Sequence, residues 1–345
     1  MSDVVPHKRS IDRSGRLRKF RAELKSLTFT PHNPATLHLS DGNDALATCL
    51  GCHDAPCMEL QESGFKLGGE LDAFPGDPSR DVCPVNAIDW NEKGEVAVVD
   101  SEICIGCGIC AVSCPYGAIH LTTEGKAVVE SIDPSGITQP ALSETAPHVK
   151  AECNGALGTA DTAFLKRLPE VVASLSDVQT TRLTRNMFLA CGVSANMRRK
   201  GDTNVRMDGL LRLRSGQIGV VELETSPNVL ESPRALLEDI AVLHNRFGVP
   251  MNTIVPVSVI CGFPNVRVEY YQVIEDIERV LGVRCRSITL GALCLLMWNF
   301  SYLESLGDDL FTTIPGETDL SSSLEKLIGR FENDEPYLGA FKPSK

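Results

Sequence analysis

The clearest hydrophobic periodicity in the chain lies in SPRALLEDIAVLHNRFG, residues 232–248. Leu236, Leu237, Ile240 and Leu243 recur at helical spacing, Ser232 stands at the N-cap, Pro233 in the first turn and Gly248 past the end, so the segment predicts an amphipathic helix. Residues 266–281 repeat that pattern and stop at Gly282, and residues 161–190 carry helical spacing interrupted at Pro169. VRMDGLLRLRSGQIGVVELE, residues 205–224, alternates in its first arm and predicts a β-hairpin around Ser215 and Gly216. TIVPVSVIC (253–261) predicts a strand whose Pro256 argues for an edge or a bulge. RCRSITL (284–290) predicts a last strand. The order of helix, hairpin, helix, strand, helix, strand predicts a larger α/β domain on a mixed sheet over residues 161–310, with 311–345 as a C-terminal tail. The apolar run ITLGALCLLMWNF (288–300) is shorter than the roughly 20 residues that a bilayer requires, and predicts core packing with no membrane span.

The first 160 residues are organised by cysteine and charge instead. Of thirteen cysteines, eight fall between Cys49 and Cys114. An odd total, tight clustering and a basic N-terminus without an apolar signal core argue for metal ligation in a cytoplasmic protein rather than for a disulfide framework. Cys153, Cys191, Cys261, Cys285 and Cys294 are scattered at no metal spacing and read as core residues. The net charge of −12 is uneven: residues 1–30 hold eight Lys/Arg against three acids, whereas residues 31–130 hold sixteen Asp/Glu against four Lys/Arg. The chain reads as a basic arm (1–30), an acidic cysteine module (31–130), a linker rich in Pro, Gly, Ser and Thr (131–160), and the larger domain.

CIGCGICAVSCPYGAI, residues 104–119, has the spacing C-x2-C-x2-C-x3-C-P. Three cysteines at intervals of three wrap a tight loop around one cube, and Gly106 and Gly108 let the backbone come close. Zinc ribbons use two distant C-x2-C knuckles instead. VCPVNAI (82–88) repeats SCPYGAI (113–119). On these motifs, residues 40–122 resemble a bacterial-type two-cluster ferredoxin domain, an α+β iron–sulfur module. The resemblance implies two [4Fe–4S] clusters with exchanged fourth ligands. Cys49, Cys52, Cys57 and Cys114 would hold cluster 1, and Cys104, Cys107, Cys110 and Cys83 would hold cluster 2. Two features depart from the compact family: a C-x4-C spacing between Cys52 and Cys57, and a 25-residue insert at 58–82 that reads as a surface loop or lid.

In the larger domain, Asp208 before the hairpin turn and Glu222-Leu223-Glu224 after it resemble the restriction-endonuclease-like PD-(D/E)xK superfamily. The resemblance implies a catalytic site in which Asp208 and Glu222 bind a divalent metal such as Mg. Glu224 occupies the position of the family's lysine. With a three-residue loop (214–216) Asp208 faces Glu222 and Arg206 faces Glu224; with a two-residue loop the carboxylates fall on opposite sheet faces. The basic residues Arg198, Arg199 and Lys200 are candidates for anion binding, for docking the acidic module, or for a solvated face.

Two main readings of function follow, with a purely structural subunit of a larger redox complex as a third. One is a cytoplasmic electron-transfer protein that passes electrons through two cubes to a redox partner docked by the α/β domain. The other is a nucleic-acid-binding or metal-dependent nuclease-like protein, with Asp208, Glu222 and Glu224 at its site and the cubes as staples or redox sensors.

Overall fold

A computed structural model describes residues 55–60, 62–91, 96–114, 119–121, 127–129, 164–226, 229–299, 301–313, 318–329 and 336–345. In the cysteine-rich part, a short helix α1 (Glu62–Phe65) precedes the antiparallel pair β1 (Ile88–Asn91) and β2 (Val96–Val99). Helix α2 (Ile109–Ser113) and a second antiparallel pair, β3 (Ile119–Leu121) with β4 (Ala127–Val129), complete it. Two small hairpins with a helical turn between cysteine loops make an α+β module.

The larger region begins with helix α3 over residues 164–174 and α4 (Asp177–Ala190). Pro169 does not interrupt the helix; the break falls at Ser176. There the Ser176 side chain accepts from the Gln179 N–H, and the Gln179 side chain accepts from the Ser176 N–H, a capping box that starts a new helix. A five-stranded sheet follows in the order β5 (Ser194–Met197), β6 (Gly209–Arg212), β7 (Ile218–Glu224), β8 (Ile254–Ile260) and β9 (Arg286–Thr289). β5, β6 and β7 run antiparallel, and β7, β8 and β9 run parallel. The mixed sheet agrees with the α/β expectation.

The parallel connections need crossovers, supplied by α5 (Ser232–Phe247) and α6 (Tyr270–Leu281), which touch each other on one face. On the other face α4 packs against α7 (Leu290–Trp298), whose residues are buried nearly all round. α5 ends at Gly248 in the left-handed conformation, as its sequence predicts, but Ser232 does not cap it. Its hydroxyl instead meets the Ser258 hydroxyl at 2.6 Å, and Tyr270 Oη bridges Ser258 and Ser287 at 3.1 and 2.8 Å. This buried chain of hydroxyls ties α5, β8, α6 and β9 together. β8 is a central strand, not an edge. Pro256 lies one residue before the β8–β9 ladder begins at Val257 and Arg286, so it removes no bond from that ladder.

Two segments read as peripheral in the sequence are packed. Beyond residue 310, Phe311, Leu320, Leu324, Ala340 and Phe341 are buried, and helix α8 (Ser321–Ile328) lies against α7. The Phe263 N–H donates to the Gly339 carbonyl at 2.7 Å, and the Leu320 N–H to the Phe341 carbonyl at 2.9 Å. The insert 58–82 is no loose loop either. It buries Leu67, Leu71 and Phe74 and lies along β5, which is otherwise the edge of the sheet. The Asp77 N–H donates to the Met197 carbonyl at 2.7 Å, the Arg199 N–H donates to the Pro75 carbonyl at 2.9 Å, and Gly76 bridges Arg198. Covering an edge in this way satisfies backbone groups that would otherwise stay open. The buried residues of the cysteine module and of the sheet region form one contiguous core.

Gly76 fits because it has no side chain: a Cβ there would stand 1.9 Å from Asn196 Oδ1. Gly76→Ala should therefore lift the insert off β5, lowering stability by about 1–3 kcal/mol. Denaturant unfolding measures the loss, and limited proteolysis should show new cleavage within residues 58–82.

Candidate iron–sulfur centre

Cys83 enters the site at the end of the docked insert. Its loop turns at Asn86, which adopts a left-handed conformation (φ 57°) that asparagine tolerates better than most residues. That turn brings the Ala87 N–H to the Cys83 sulfur at 3.2 Å. Cys104 follows β2, its N–H donating to the Asp100 carbonyl at 2.9 Å. Gly106 and Gly108 have φ of 79° and 78°, so the loop curls back on itself before α2 begins at Ile109. Cys110 sits in the first turn of α2 and Cys114 at its end.

Cys83, Cys104, Cys107 and Cys110 line one small cavity walled by Val85, Ile88, Val99, Ile105 and Ala127. These are the four residues assigned to cluster 2. Cys57 and Cys114, assigned to cluster 1, are both buried; Cys49 and Cys52 lie outside the described residues. Burial pushes the Cys83, Cys107 and Cys110 thiols upward, and the neighbouring sulfur charges push further. Four sulfurs in one apolar cavity cannot all ionise unless positive charge sits among them. The iron of a [4Fe–4S] cube supplies that charge, so the donor set fits the group. No three of the described His, Cys, Asp or Glu side chains are close enough to share a single metal ion. A cube spreads its ligands around four irons and asks for a wider frame than one tetrahedral ion.

The α/β region reaches into this frame at two places. Trp298 of α7 donates from Nε1 to the Cys107 carbonyl at 3.0 Å, braced by Phe164 edge-on at 5.9 Å. A Cβ at Gly108 would meet that indole nitrogen at 2.8 Å. On the other side, Asn186 of α4 donates to the Asp81 and Val82 carbonyls at 2.9 and 2.7 Å, immediately before Cys83. Beside it the fully buried Arg185 lies 3.6 Å from the Asp77 carboxylate and 5.2 Å from the Phe65 ring. Burial lowers the Arg185 guanidinium to about 10, so it remains charged at neutral pH. Sequence reasoning missed Trp298 and Asn186. Both left a signal: an indole N–H inside an apolar run, and an amide on the buried face of a helix, each needing a partner.

Residues 80–126 match the family model of the 4Fe-4S dicluster domain. This stretch is a ferredoxin-like iron–sulfur domain. Two uncharacterized ferredoxins of Methanocaldococcus jannaschii are 34% identical over 80 residues and 48% identical over 90 residues; these matches take in 21% and 23% of this chain and 52% of each relative. One subunit of the tetrathionate reductase of Archaeoglobus fulgidus is 61% identical over 36 residues, 10% of this chain and 17% of that protein. The chain spans about half the length of the two ferredoxins that it matches. No solved structure matches it.

Away from the ferredoxin-like domain, the hairpin adopts the three-residue loop. Leu213 pairs with Gln217, and Gly216 takes φ 87°. β6 and β7 then pair Gly209 with Val221, which puts Asp208 opposite Glu222. The Asp208 carboxylate already has a cation: Arg198 donates to it at 3.0 Å, and the Leu223 N–H donates at 3.1 Å. Arg206 turns to Glu238 at 2.6 Å, and Glu224 accepts from the Ser226 N–H at 2.8 Å. The other two basic candidates are also paired, Arg199 with Asp202 at 3.7 Å and Lys200 with Asp177 at 2.6 Å. All three line a mixed-charge cavity of about 860 Å³ that also holds Asp77 and Asp208. Two further arginines hold the insert: Arg182 pairs with Asp81 at 3.2 Å, and Arg212 donates to the Gly68 carbonyl at 3.2 Å.

Burial, then the charge of Asp208 and a hydrogen bond with Asp239, raise the Glu222 carboxyl far above the usual range; burial raises Asp239 by less. Both groups hold protons more tightly folded than unfolded. Their stability contribution is therefore full below the ordinary carboxylate range and is lost as the pH rises toward the folded values. Glu222→Gln, which mimics the protonated acid, should melt above the parent at about pH 8 and close to it at about pH 5; thermal melts at both pH values check this. Trp298→Phe strands the Cys107 carbonyl and should cost about 1–3 kcal/mol. The loss should appear in denaturant unfolding followed by the absorbance of the clusters.

Proposed function

We propose that the protein is an electron carrier with two [4Fe–4S] clusters. Cys104, Cys107, Cys110 and Cys83 hold one; Cys49, Cys52, Cys57 and Cys114 hold the other. The observation that carries this reading is the convergence of the first four cysteines on a single apolar cavity, within the stretch that matches a dicluster domain. The names of similar proteins support the same role. They include ferredoxins, a component of hydrogenase-4 of Escherichia coli and a subunit of a reductase. The two cysteine sets would hold the clusters within one module and make one-electron chemistry available to a redox partner protein. The α/β region fixes the frame of cluster 2 and offers the docking surface. When bound, the clusters supply one-electron chemistry; the chain's own residues exclude water from Cys107 and Cys110 and donate an N–H to the Cys83 sulfur. Acidic residues around the module disfavour added negative charge and so favour low potentials. No helix among the described residues is long and apolar enough to cross a membrane.

The second reading, an endonuclease-like domain, is favoured by one observation. The hairpin register sets Asp208 against Glu222 beside the large polar cavity. Against it stand Glu224 in place of a lysine and Arg198 at the carboxylate where a metal would bind. Divalent-metal-dependent cleavage of DNA that disappears in Asp208→Ala would establish it.

Cys83→Ala and Cys114→Ala test the leading reading. Each should lower iron and acid-labile sulfide in anaerobically purified protein, and each should do so through a different cluster. Full iron and sulfide in both variants would exclude the ligand assignment.

A further inference from the structure

A second cavity, of about 490 Å³, opens where the ferredoxin-like domain meets the sheet. Leu60 and Val82 wall it from the insert, Ile109 and Ser113 from α2, and Leu189 from α4, with Leu213 beneath the β6–β7 turn. Its volume falls within the range of about 300–1,000 Å³ common for small-molecule sites. The lining is mostly apolar, but one strong donor lacks an acceptor. Arg212 lines the cavity, gives Nη2 to the Gly68 carbonyl at 3.2 Å, and keeps its Nε buried without a hydrogen-bond partner. The other charged group, Arg214, stands exposed at the rim, over the Tyr302 ring at 5.3 Å and 3.6 Å from Glu304. Asn186 also lines the cavity, but its amide is committed to the Asp81 and Val82 carbonyls and to Arg185.

We propose that this cavity binds a small organic acid with an apolar body, its carboxylate held by Arg212. A carboxylate matches the planar donor edge of a guanidinium, and Arg212 brings one to an otherwise mostly apolar lining. The apolar walls take a hydrocarbon or ring body and give a polyphosphate nothing to bind. The position connects the site to the clusters. Ile109 and Ser113 face the cavity, while Cys110 and Cys114, one residue further round the same helix, are the assigned cluster ligands. The proposal rests on these walls and on Arg212, and it stands whether or not electrons pass through the clusters.

The test is calorimetric titration of anaerobic, cluster-loaded full-length protein with decanoate, with decanol and inorganic phosphate as comparisons. Decanoate should saturate a single class of sites and bind about tenfold or more tightly than decanol. Phosphate should not displace it. Arg212→Gln should weaken decanoate about tenfold or more while leaving decanol unchanged, with cluster absorbance and thermal melting reporting that the variant is folded. If that variant does not fold, the decanoate-to-decanol ratio in the parent protein decides alone. Absence of saturable binding, equal affinity for the acid and the alcohol, an unchanged affinity in folded Arg212→Gln, or displacement by phosphate would each overturn the proposal.

Discussion

Arg185 is fully buried, and a buried guanidinium is tolerable only beside an anion and hydrogen-bond acceptors. Asp77 of the insert provides both: its carboxylate lies 3.6 Å from Nη1, and its carbonyl accepts at 3.2 Å. The neighbouring amide of Asn186 then holds the two carbonyls that precede Cys83. Removing either partner would leave a charge or a backbone group stranded in the core. Helix α4 and the insert therefore fold as one unit, and the position of Cys83 follows from them. Trp298 does for Cys107 what Asn186 does for Cys83. Two of the four thiols of that cavity are thus set by side chains more than a hundred residues away.

This arrangement gives the α/β region a physical role in holding the cysteine frame. A small ferredoxin module has little apolar surface of its own and depends on its clusters for cohesion. Here its buried residues merge with those of the sheet. The cysteine cavity is shielded from water on the side of α7, and a low-dielectric surround of this kind is one of the means by which a protein adjusts cluster potential. The insert completes the seal by closing the free edge of β5.

Much of this was legible in the sequence, for identifiable reasons. Cysteine spacing is a covalent pattern, and it marked the residues that converge on the cluster 2 cavity. The periodicity of α5 and α6 and the stops at Gly248 and Gly282 are local signals, and they hold. The hairpin register hung on a one-residue difference in loop length, and Gly216 in the left-handed conformation resolves it. What stayed hidden was non-local. The insert 58–82 is rich in glycine, proline and charge, and looks like a surface loop until its partners on α4 and β5 are present. Pro256 argued for an edge, because the end of the β8–β9 ladder cannot be read from one strand. Arg182 and Arg185 are basic residues with no partner visible in the sequence; the carboxylates that they meet belong to the same chain.

The central claim is that the cysteine frame carries electrons and does not merely staple the fold. Potentiometric titration of the anaerobic protein, followed by electron paramagnetic resonance, tests it most directly. The expected result is two cubes that reduce and reoxidise reversibly at low potential, with signals broadened by their mutual coupling. Clusters that stay silent at the lowest accessible potential, or break down on reduction, would contradict it and leave them a structural role.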